Sequence, residues 1–253
     1  MRNKSATKSC RDLLLVRLDH GRTLVIGCDS AGAIGSKPLD HIRVSWETLG
    51  RFTARVALME VLSVGANPIC LTATLSVERE PAGLKIMKGI REELSYSRLN
   101  PRTLILDSTE KNVRTRQTGA GVTAIGTVSS RALRIGLCKR GDEIITVGLP
   151  LVGKEVVEGE GKRMIADTRD LRALLSEPSV HEIIPVGSQG IAKEAETLAR
   201  DSGLRPHFYA DVGIDLAKTA GPATVLLCAV PKSRTQTVIK SIRKPTATIG
   251  FLK

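Results

Sequence analysis

One segment says most about the architecture of this chain: Leu58-Met-Glu-Val-Leu-Ser-Val-Gly-Ala-Asn-Pro68. The apolar residues that lead into it recur at helical spacing, at Trp46, Leu49, Phe52, Val56 and Met59. Gly65 and Pro68 then end the helix, because neither residue supports a further helical turn. The segment therefore predicts a long helix over residues 46–64, followed by a strand over residues 69–77.

Strands and helices alternate on both sides of this helix. In the first half, apolar patterning and turn residues predict strands at 13–16, 23–27, 103–106 and 119–128, a loop of small residues at 28–38 and a second helix at 81–96. In the second half they predict strands at 143–147, 183–186, 223–230 and 247–251, and helices at 169–175, 190–200, 214–218 and 234–242. The first half is thus an α+β unit. Because a turn at 139–142 introduces a new run of elements, we expect two domains, 1–137 and 138–253.

The composition is that of an ordinary globular protein, with 42% hydrophobic and 25% charged residues. No apolar run approaches the roughly 20 residues that cross a bilayer, and the first residues lack an apolar signal core. We therefore expect a cytoplasmic protein without a membrane partner. The five cysteines are scattered without a CxxC pair, which argues against zinc and disulfides. Four of them are expected to be buried thiols: Cys28, Cys70, Cys138 and Cys228.

The net charge of +12 favours anionic partners. Nucleic-acid tracks usually add aromatic platforms, but aromatic residues make up only 2% of this chain and its basic residues are dispersed. The charge therefore favours a phosphorylated small molecule, and we expect no nucleic-acid partner; the alternative is that the scattered lysines only keep the surface soluble. None of the four histidines is expected to act as a base; we interpret His20, His41, His181 and His207 as surface or packing residues.

Acidic residues stand at the ends of predicted strands and on the first helix. The chain has no P-loop, no GxGxxG after a strand and no HExxH, so any phosphate would be held in another way. The acids that could gather magnesium around a triphosphate are Asp12, Asp29, Glu60, Asp107 and Glu110. Each of them taken alone is equally explained as a turn former, a cap or a solvated charge.

Several motifs resemble those of the aminoimidazole ribonucleotide synthetase (PurM-like) superfamily. Residues 29–40, Asp-Ser-Ala-Gly-Ala-Ile-Gly-Ser-Lys-Pro-Leu-Asp, resemble its DGVGTK region, and residues 58–68 resemble its SDLAAMGAxP helix end. Arg11-Asp12-Leu13 is similar to its GDDA box, and residues 107–112 stand where the family carries GGDT or GGET. The turn at 139–142 resembles the opening of its C-terminal domain. The resemblance implies a two-domain PurM-like fold: an N-terminal mixed sheet with helices that dimerises through its sheet, and a C-terminal α/β sandwich.

The same resemblance implies ATP and Mg²⁺ as cofactors. The implied metal ligands are Asp12, Asp29, Glu60 and either Asp107 or Glu110, between which the sequence does not choose. Asp29 and Lys37 would act in catalysis, with Lys37 steadying a phosphate or, alternatively, serving as a solvated turn lysine. The residues expected to hold the nucleotide are Thr115, Thr118, Gly119 and Gly121, for which plain turn chemistry is the other interpretation.

Within the superfamily the motifs most resemble those of the α-ribazole kinases of cobamide salvage, over residues 29–37, 56–66 and 108–126. That resemblance implies transfer of phosphate from ATP to the 5′-hydroxyl of α-ribazole or a similar nucleoside by a homodimer. Thiamine-monophosphate kinase is an alternative, but residues 185–191 lack the acids of its second-domain box. The hydrogenase-maturation relatives end in a cysteine, which is not found at residues 250–253. A non-catalytic nucleotide-binding protein is the alternative from another class.

Overall fold

The computed structural model describes residues 6–99 and 103–253. The chain divides into two compact units. The first runs to Leu133 apart from Ser63–Gly65, and the second comprises those three residues and Arg134–Lys253. No helix among the described residues is long and apolar enough to cross a membrane.

A six-stranded mixed sheet forms the centre of the first unit. The strands of this unit are β1 (Thr7–Cys10), β2 (Leu13–Leu18), β3 (Arg22–Gly32), β4 (Ile34–Gly35), β5 (Ile42–Arg43), β6 (Asn67–Glu78), β7 (Leu104–Glu110) and β8 (Gly119–Ser129). The sheet order is β1-β2-β3-β8-β6-β7, while β4 and β5 pair separately. Strands β6 and β7 run parallel, and the other neighbours in the large sheet run antiparallel. The predicted α+β class and mixed sheet are confirmed.

Helix α1 (Trp46–Ser63) covers one face of this sheet, which we call the inner face. Two glycines allow the close approach. A Cβ atom added to Gly126 would lie 2.6 Å from Cγ1 of Val61, and one added to Gly27 would lie 3.3 Å from Cγ2 of the same side chain. Because larger residues at these points would push the helix away, the glycines set the height of α1 above the strands.

Helix α2 (Leu84–Tyr96) packs on α1. A Cβ atom on Gly89 would lie 2.0 Å from the backbone oxygen of Glu47, so the two helices touch there backbone to backbone. Further along, Nε and Nη2 of Arg55 donate to the two carboxylate oxygens of Glu93, at 3.1 and 2.9 Å. Both side chains are buried, so this bidentate ion pair fixes how α2 lies against α1.

The opposite, outer face of the sheet is apolar and uncovered in the single chain. Leu104 and Leu106 of β7 are 77% and 72% exposed, and Leu14 and Ile69 are also among the exposed large hydrophobic residues. Side chains of successive strand residues point to opposite faces, which places Leu14, Leu104 and Leu106 on the side opposite their less exposed neighbours. A soluble single chain seldom exposes such a patch without a use for it.

An antiparallel five-stranded sheet forms the centre of the second unit. Its strands are β9 (Asp142–Val147), β10 (Glu182–Val186), β11 (Pro206–Phe208), β12 (Val225–Pro231) and β13 (Thr246–Leu252), in the order β10-β12-β9-β13-β11. The helices are α3 (Lys154–Gly161), α4 (Thr168–Leu175), α5 (Gly190–Asp201) and α6 (Thr235–Ser241). Every residue of the central strand β9 is buried, so both faces of the sheet are covered there, as in the expected α/β sandwich.

The structure departs most from the sequence-based prediction at three places. The predicted helix at 214–218 is wrong: these residues form bends, in which Ala217 N and Lys218 N donate to Oδ1 of Asp215. Strand β3 continues to Gly32, where a loop from residue 28 was predicted, because its pairing with β8 continues to that residue. Strand β7 continues to Glu110 instead of ending before Asp107. The prediction also missed the short elements β1, β4, β5, α3 and β11.

The cysteine prediction holds only in part. Cys138 and Cys228 are buried and Cys70 is half-buried, but Cys28 is exposed because it lies on the outer face of β3. His181, which was interpreted as a surface or packing residue, has its Nδ1 2.7 Å from Oδ2 of Asp142. That contact spans 39 residues, so local sequence could not indicate it.

Candidate functional site

Asp29 lies on the inner face of β3, two residues beyond Gly27. Burial raises the pKa of its carboxyl to about 6, although the backbone N–H of Ser30 opposes the shift. A partly buried carboxylate without a cation nearby is costly, so the site favours a proton or a metal ion at this oxygen pair. This is the chemistry expected of a magnesium ligand.

Glu60 and Asp12 lie beside the middle of β3, near Gly27. A Cβ atom on Gly27 would be 3.2 Å from Cβ of Glu60, so the acid projects from buried helix α1 directly over the strand that carries Asp29. Leu13 pairs with Gly27 across β2 and β3, and Asp12 is the residue before it, in the turn between β1 and β2. The predicted ligands Asp12, Asp29 and Glu60 therefore lie at neighbouring positions on or beside β3.

Asp107 and Glu110 lie elsewhere on the sheet. The residues Asp29, Val122, Ala73 and Asp107 form one row across four strands. Three strand spacings separate its ends by about 14 Å, which is too far for both acids to bind one ion. Asp107 instead accepts from Nη1 of Arg79 at 3.4 Å. The structure therefore does not bring Asp107 close enough to share one ion with Asp29.

Glu110 is occupied by the turn that follows β7. Its Oε1 accepts the backbone N–H of Asn112 at 2.7 Å and of Val113 at 3.3 Å. These hydrogen bonds hold the pKa of Glu110 below its usual value. No group of three or more His, Cys, Asp and Glu side chains suited to a metal ion occurs within 6–99 and 103–253. The metal roles of all five acids remain predictions.

Lys37 makes an ion pair with Glu78, a residue that the sequence did not single out. Its Nζ donates to Oε2 of Glu78, and the Lys37 side chain is only 12% exposed. The other oxygen of Glu78 accepts the backbone N–H of Thr115 at 3.1 Å. One carboxylate thus joins the loop that carries Lys37 to the segment that carries Thr115.

The Thr115 hydroxyl is a buried polar atom without a hydrogen-bond partner in the described part of the chain. Such atoms are rare in folded proteins, and one reason for them is a ligand that is absent. Because Thr115 is among the predicted nucleotide-binding residues, its unsatisfied hydroxyl is consistent with that role.

Thr118 is held by Asp40. The Asp40 carboxylate, 6% exposed, accepts the backbone N–H of Thr118 at 2.7 Å, its hydroxyl at 2.6 Å and the backbone N–H of Lys37 at 2.7 Å. Nε1 of Trp46 donates to the same hydroxyl at 3.3 Å. Gly35 is required beside them, because an added Cβ would lie 2.6 Å from that hydroxyl oxygen and φ is +146°. In this structure the Thr118 hydroxyl therefore supports the loop, and its predicted contact with a nucleotide remains a prediction.

Gly119 and Gly121 lie at the start of β8, facing the outer side. A Cβ atom on Gly119 would lie 3.1 Å from Cβ of Ser76, and one on Gly121 would lie 3.0 Å from Oγ1 of Thr74. Because the two glycines have no side chains, this part of the strand surface is a shallow depression beside the side chains of Ser76 and Thr74. Their role with a nucleotide stays a prediction.

Sequence reasoning missed Glu78, Asp40 and Trp46 as contributors to this site. Asp40 was within the quoted 29–40 segment, but its partner Thr118 is 78 residues away. Glu78 is 41 residues from Lys37. No local pattern marks such partners.

Comparison with known proteins gives a family match for the first half of the chain. Residues 11–128 match the model of the AIR synthase related protein, N-terminal domain. No curated protein sequence matches.

Solved structures match over nearly the whole chain. E. coli HypE, a hydrogenase maturation protein, has a TM-score of 0.68 at 16% identity, covering 94% of this chain and 84% of its own. AaThiL complexed with AMPPCP and TMP has a TM-score of 0.64 at 13% identity, covering 96% and 84%. Thiamine-monophosphate kinase from Stenotrophomonas maltophilia has a TM-score of 0.63 at 17% identity, covering 99% and 89%. At these identities the likeness shows the fold.

Proposed function

Because the chain belongs to the AIR-synthase-related, PurM-like superfamily, whose N-terminal domain it carries over residues 11–128, we propose that it is an ATP-dependent small-molecule kinase. The observation that carries this proposal is the carboxylate of Glu78. It holds the ammonium of Lys37 and the backbone of Thr115 together, beside a hydroxyl that lacks a partner. A cation and an unsatisfied hydroxyl at one place suit the oxygens of a phosphate chain.

The donor set fits magnesium on the inner face of the sheet, beside β3. Mg²⁺ is commonly held by one or two carboxylates together with substrate phosphates and water, so a group of three protein ligands is not needed. Asp29 and Glu60 would hold it, with Asp12 next to them. When bound, the ion neutralises charge on the phosphates. AMPPCP, an ATP analogue, is part of the AaThiL complex that resembles this chain in fold.

The residues of this chain would act mainly by positioning. Lys37 has three N–H donors, of which Glu78 engages one, so two remain for phosphate oxygens. Thr115 can donate its hydroxyl to a phosphate or ribose oxygen. Phosphoryl transfer needs alignment and charge stabilisation more than a strong base, so a site without a dedicated histidine is adequate.

For the acceptor we propose the 5′-hydroxyl of α-ribazole, on the strength of the motif resemblance over residues 29–37, 56–66 and 108–126. Thiamine monophosphate is the alternative acceptor, supported by the fold of the thiamine-monophosphate kinase structure. Against it, residues 185–191 contain no acid. The absence of acids at residues 185–191 also supports the alternative that the chain is a nucleotide-binding protein without phosphoryl-transfer activity. We also propose a cytoplasmic location, which is the location expected from the sequence.

We further propose that two copies pair through the outer face of the first-unit sheet. The exposed leucines of β7 and the neighbouring apolar positions on β2 and β3 supply the surface, and a second copy would remove it from water.

The test is an acceptor panel. Purified protein with ATP and Mg²⁺ is incubated with α-ribazole, thiamine monophosphate, adenosine or no acceptor, and ADP and the phosphorylated product are measured. We expect ADP and product in equal amounts with α-ribazole. If product forms only with thiamine monophosphate, that compound is the acceptor and the α-ribazole proposal is wrong. ATP binding without product from any acceptor would favour the non-catalytic class.

A further inference from the structure

Glu78 lies at the end of β6 and contacts two segments, the loop that carries Lys37 and the segment that carries Thr115. Its two carboxylate oxygens are both engaged, one by Nζ of Lys37 and one by the backbone N–H of Thr115. Across the parallel ladder it pairs with Glu110, whose carboxylate is directed to its own turn. Both carboxylate oxygens of Glu78 are therefore used, one by Lys37 and one by Thr115.

The backbone of the lysine loop is already fixed without Glu78. The Asp40 carboxylate binds the backbone N–H of Lys37, and Asp40 N donates to the carbonyl of Lys37 at 3.1 Å. Arg43 donates to the carbonyl oxygens of Lys37 and Pro38. Fixing the backbone does not fix the ammonium, because four rotatable bonds separate it from the chain. The direction of the ammonium is what Glu78 adds.

We propose that Glu78 is a positioning residue that aims the Lys37 ammonium at the phosphates of a bound nucleotide and holds the backbone of Thr115 beside it. The inference rests on the proposed function and deepens it. Glu78 itself does not touch the nucleotide; it acts through the two groups that it holds. Its charge also offsets the positive charge of a largely buried lysine when no nucleotide is bound, so the loop keeps one geometry.

A thermodynamic cycle separates this role from a merely structural one. Calorimetry gives the dissociation constant of Mg-AMPPCP for wild type, Glu78→Gln, Lys37→Met and the double variant. Loss of a lysine–phosphate hydrogen bond should weaken binding roughly 10- to 100-fold in Lys37→Met. In the wild-type background, Glu78→Gln should weaken Mg-AMPPCP binding roughly fivefold or more. In the Lys37→Met background, the same change should weaken binding by less than about twofold, because the ammonium that Glu78 positions is already gone. Glutamine keeps an oxygen for Thr115, so the effect reports on the lysine.

The matched control is Glu92→Gln, an exposed glutamate of α2, which should bind like wild type. Melting temperatures of all variants show whether the fold is kept. If Glu78→Gln binds as tightly as wild type, or if its effect multiplies fully with that of Lys37→Met, the positioning role is wrong while the kinase proposal stands. If wild type itself fails to bind Mg-AMPPCP, the proposed function fails first and the inference with it.

Discussion

At the residue scale, the charged carboxylate of Asp29 is unfavourable for folding but is needed for the proposed magnesium binding. Burial raises its pKa to about 6, so the folded protein tolerates the charged form poorly. Asp29→Asn keeps the shape and removes the charge. We expect it to lose Mg²⁺-dependent ATP binding at least tenfold, because a carboxylate ligand is lost, while its melting temperature without metal is equal to or above that of wild type. Calorimetry and thermal unfolding in chelator measure both effects. Wild-type affinity in the variant would remove Asp29 from the site.

Asp170 makes the pH dependence of stability testable at a second residue. Its pKa is raised to about 6, first by burial and then by the charge of Asp167, against the opposing Lys244. The folded state thus prefers the neutral acid. The stabilisation is complete below the ordinary pKa of 3.8 and is lost as pH rises through about 6. Wild type should therefore lose free energy of unfolding relative to Asp170→Asn between pH 4 and pH 7. Urea unfolding at both pH values measures it, with exposed Glu158→Gln as control; a constant difference would contradict the account.

At the scale of elements, the contact between α1 and α2 is set by Gly89. An added Cβ would lie 2.0 Å from the oxygen of Glu47, and backbone cannot move aside cheaply. We expect Gly89→Ala to destabilise the protein by about 1–3 kcal/mol, although alanine favours helices. Chemical unfolding measures the change. The control is Gly161→Ala in α3, where no atom lies within 4 Å of the added Cβ. A stabilised Gly89→Ala variant would mean that the helices are farther apart than described.

Much of this element scale follows from sequence, because helical and strand periodicity are local properties. The helix from Trp46 ends within one residue of its predicted end, and the two strands around Gly27 and Gly121 were found. The predicted helix at 214–218 failed because its acid and lysine close turns instead. The site was less predictable: Lys37 was proposed, but Glu78, which directs it, is brought there only by the pairing of distant strands.

At the scale of the whole molecule, the outer face of the first sheet should be an interface between two copies. Leu106→Lys places a charge where an apolar partner is expected, so the variant should elute as a monomer while wild type has twice its mass. Light scattering coupled to size exclusion measures this. Leu84→Lys, a similar change of an exposed leucine on α2, should leave the wild-type mass. A monomeric wild type would remove the dimer from the proposal.

The central claim is that carboxylates of the first unit bind a nucleotide through magnesium. Titration of ATP into the wild-type protein by calorimetry, once with Mg²⁺ and once with a chelator, tests it most directly. The account predicts saturable binding of one nucleotide per chain with Mg²⁺ and a loss of affinity of at least tenfold without it. Equal binding in both titrations, or no binding in either, would contradict it.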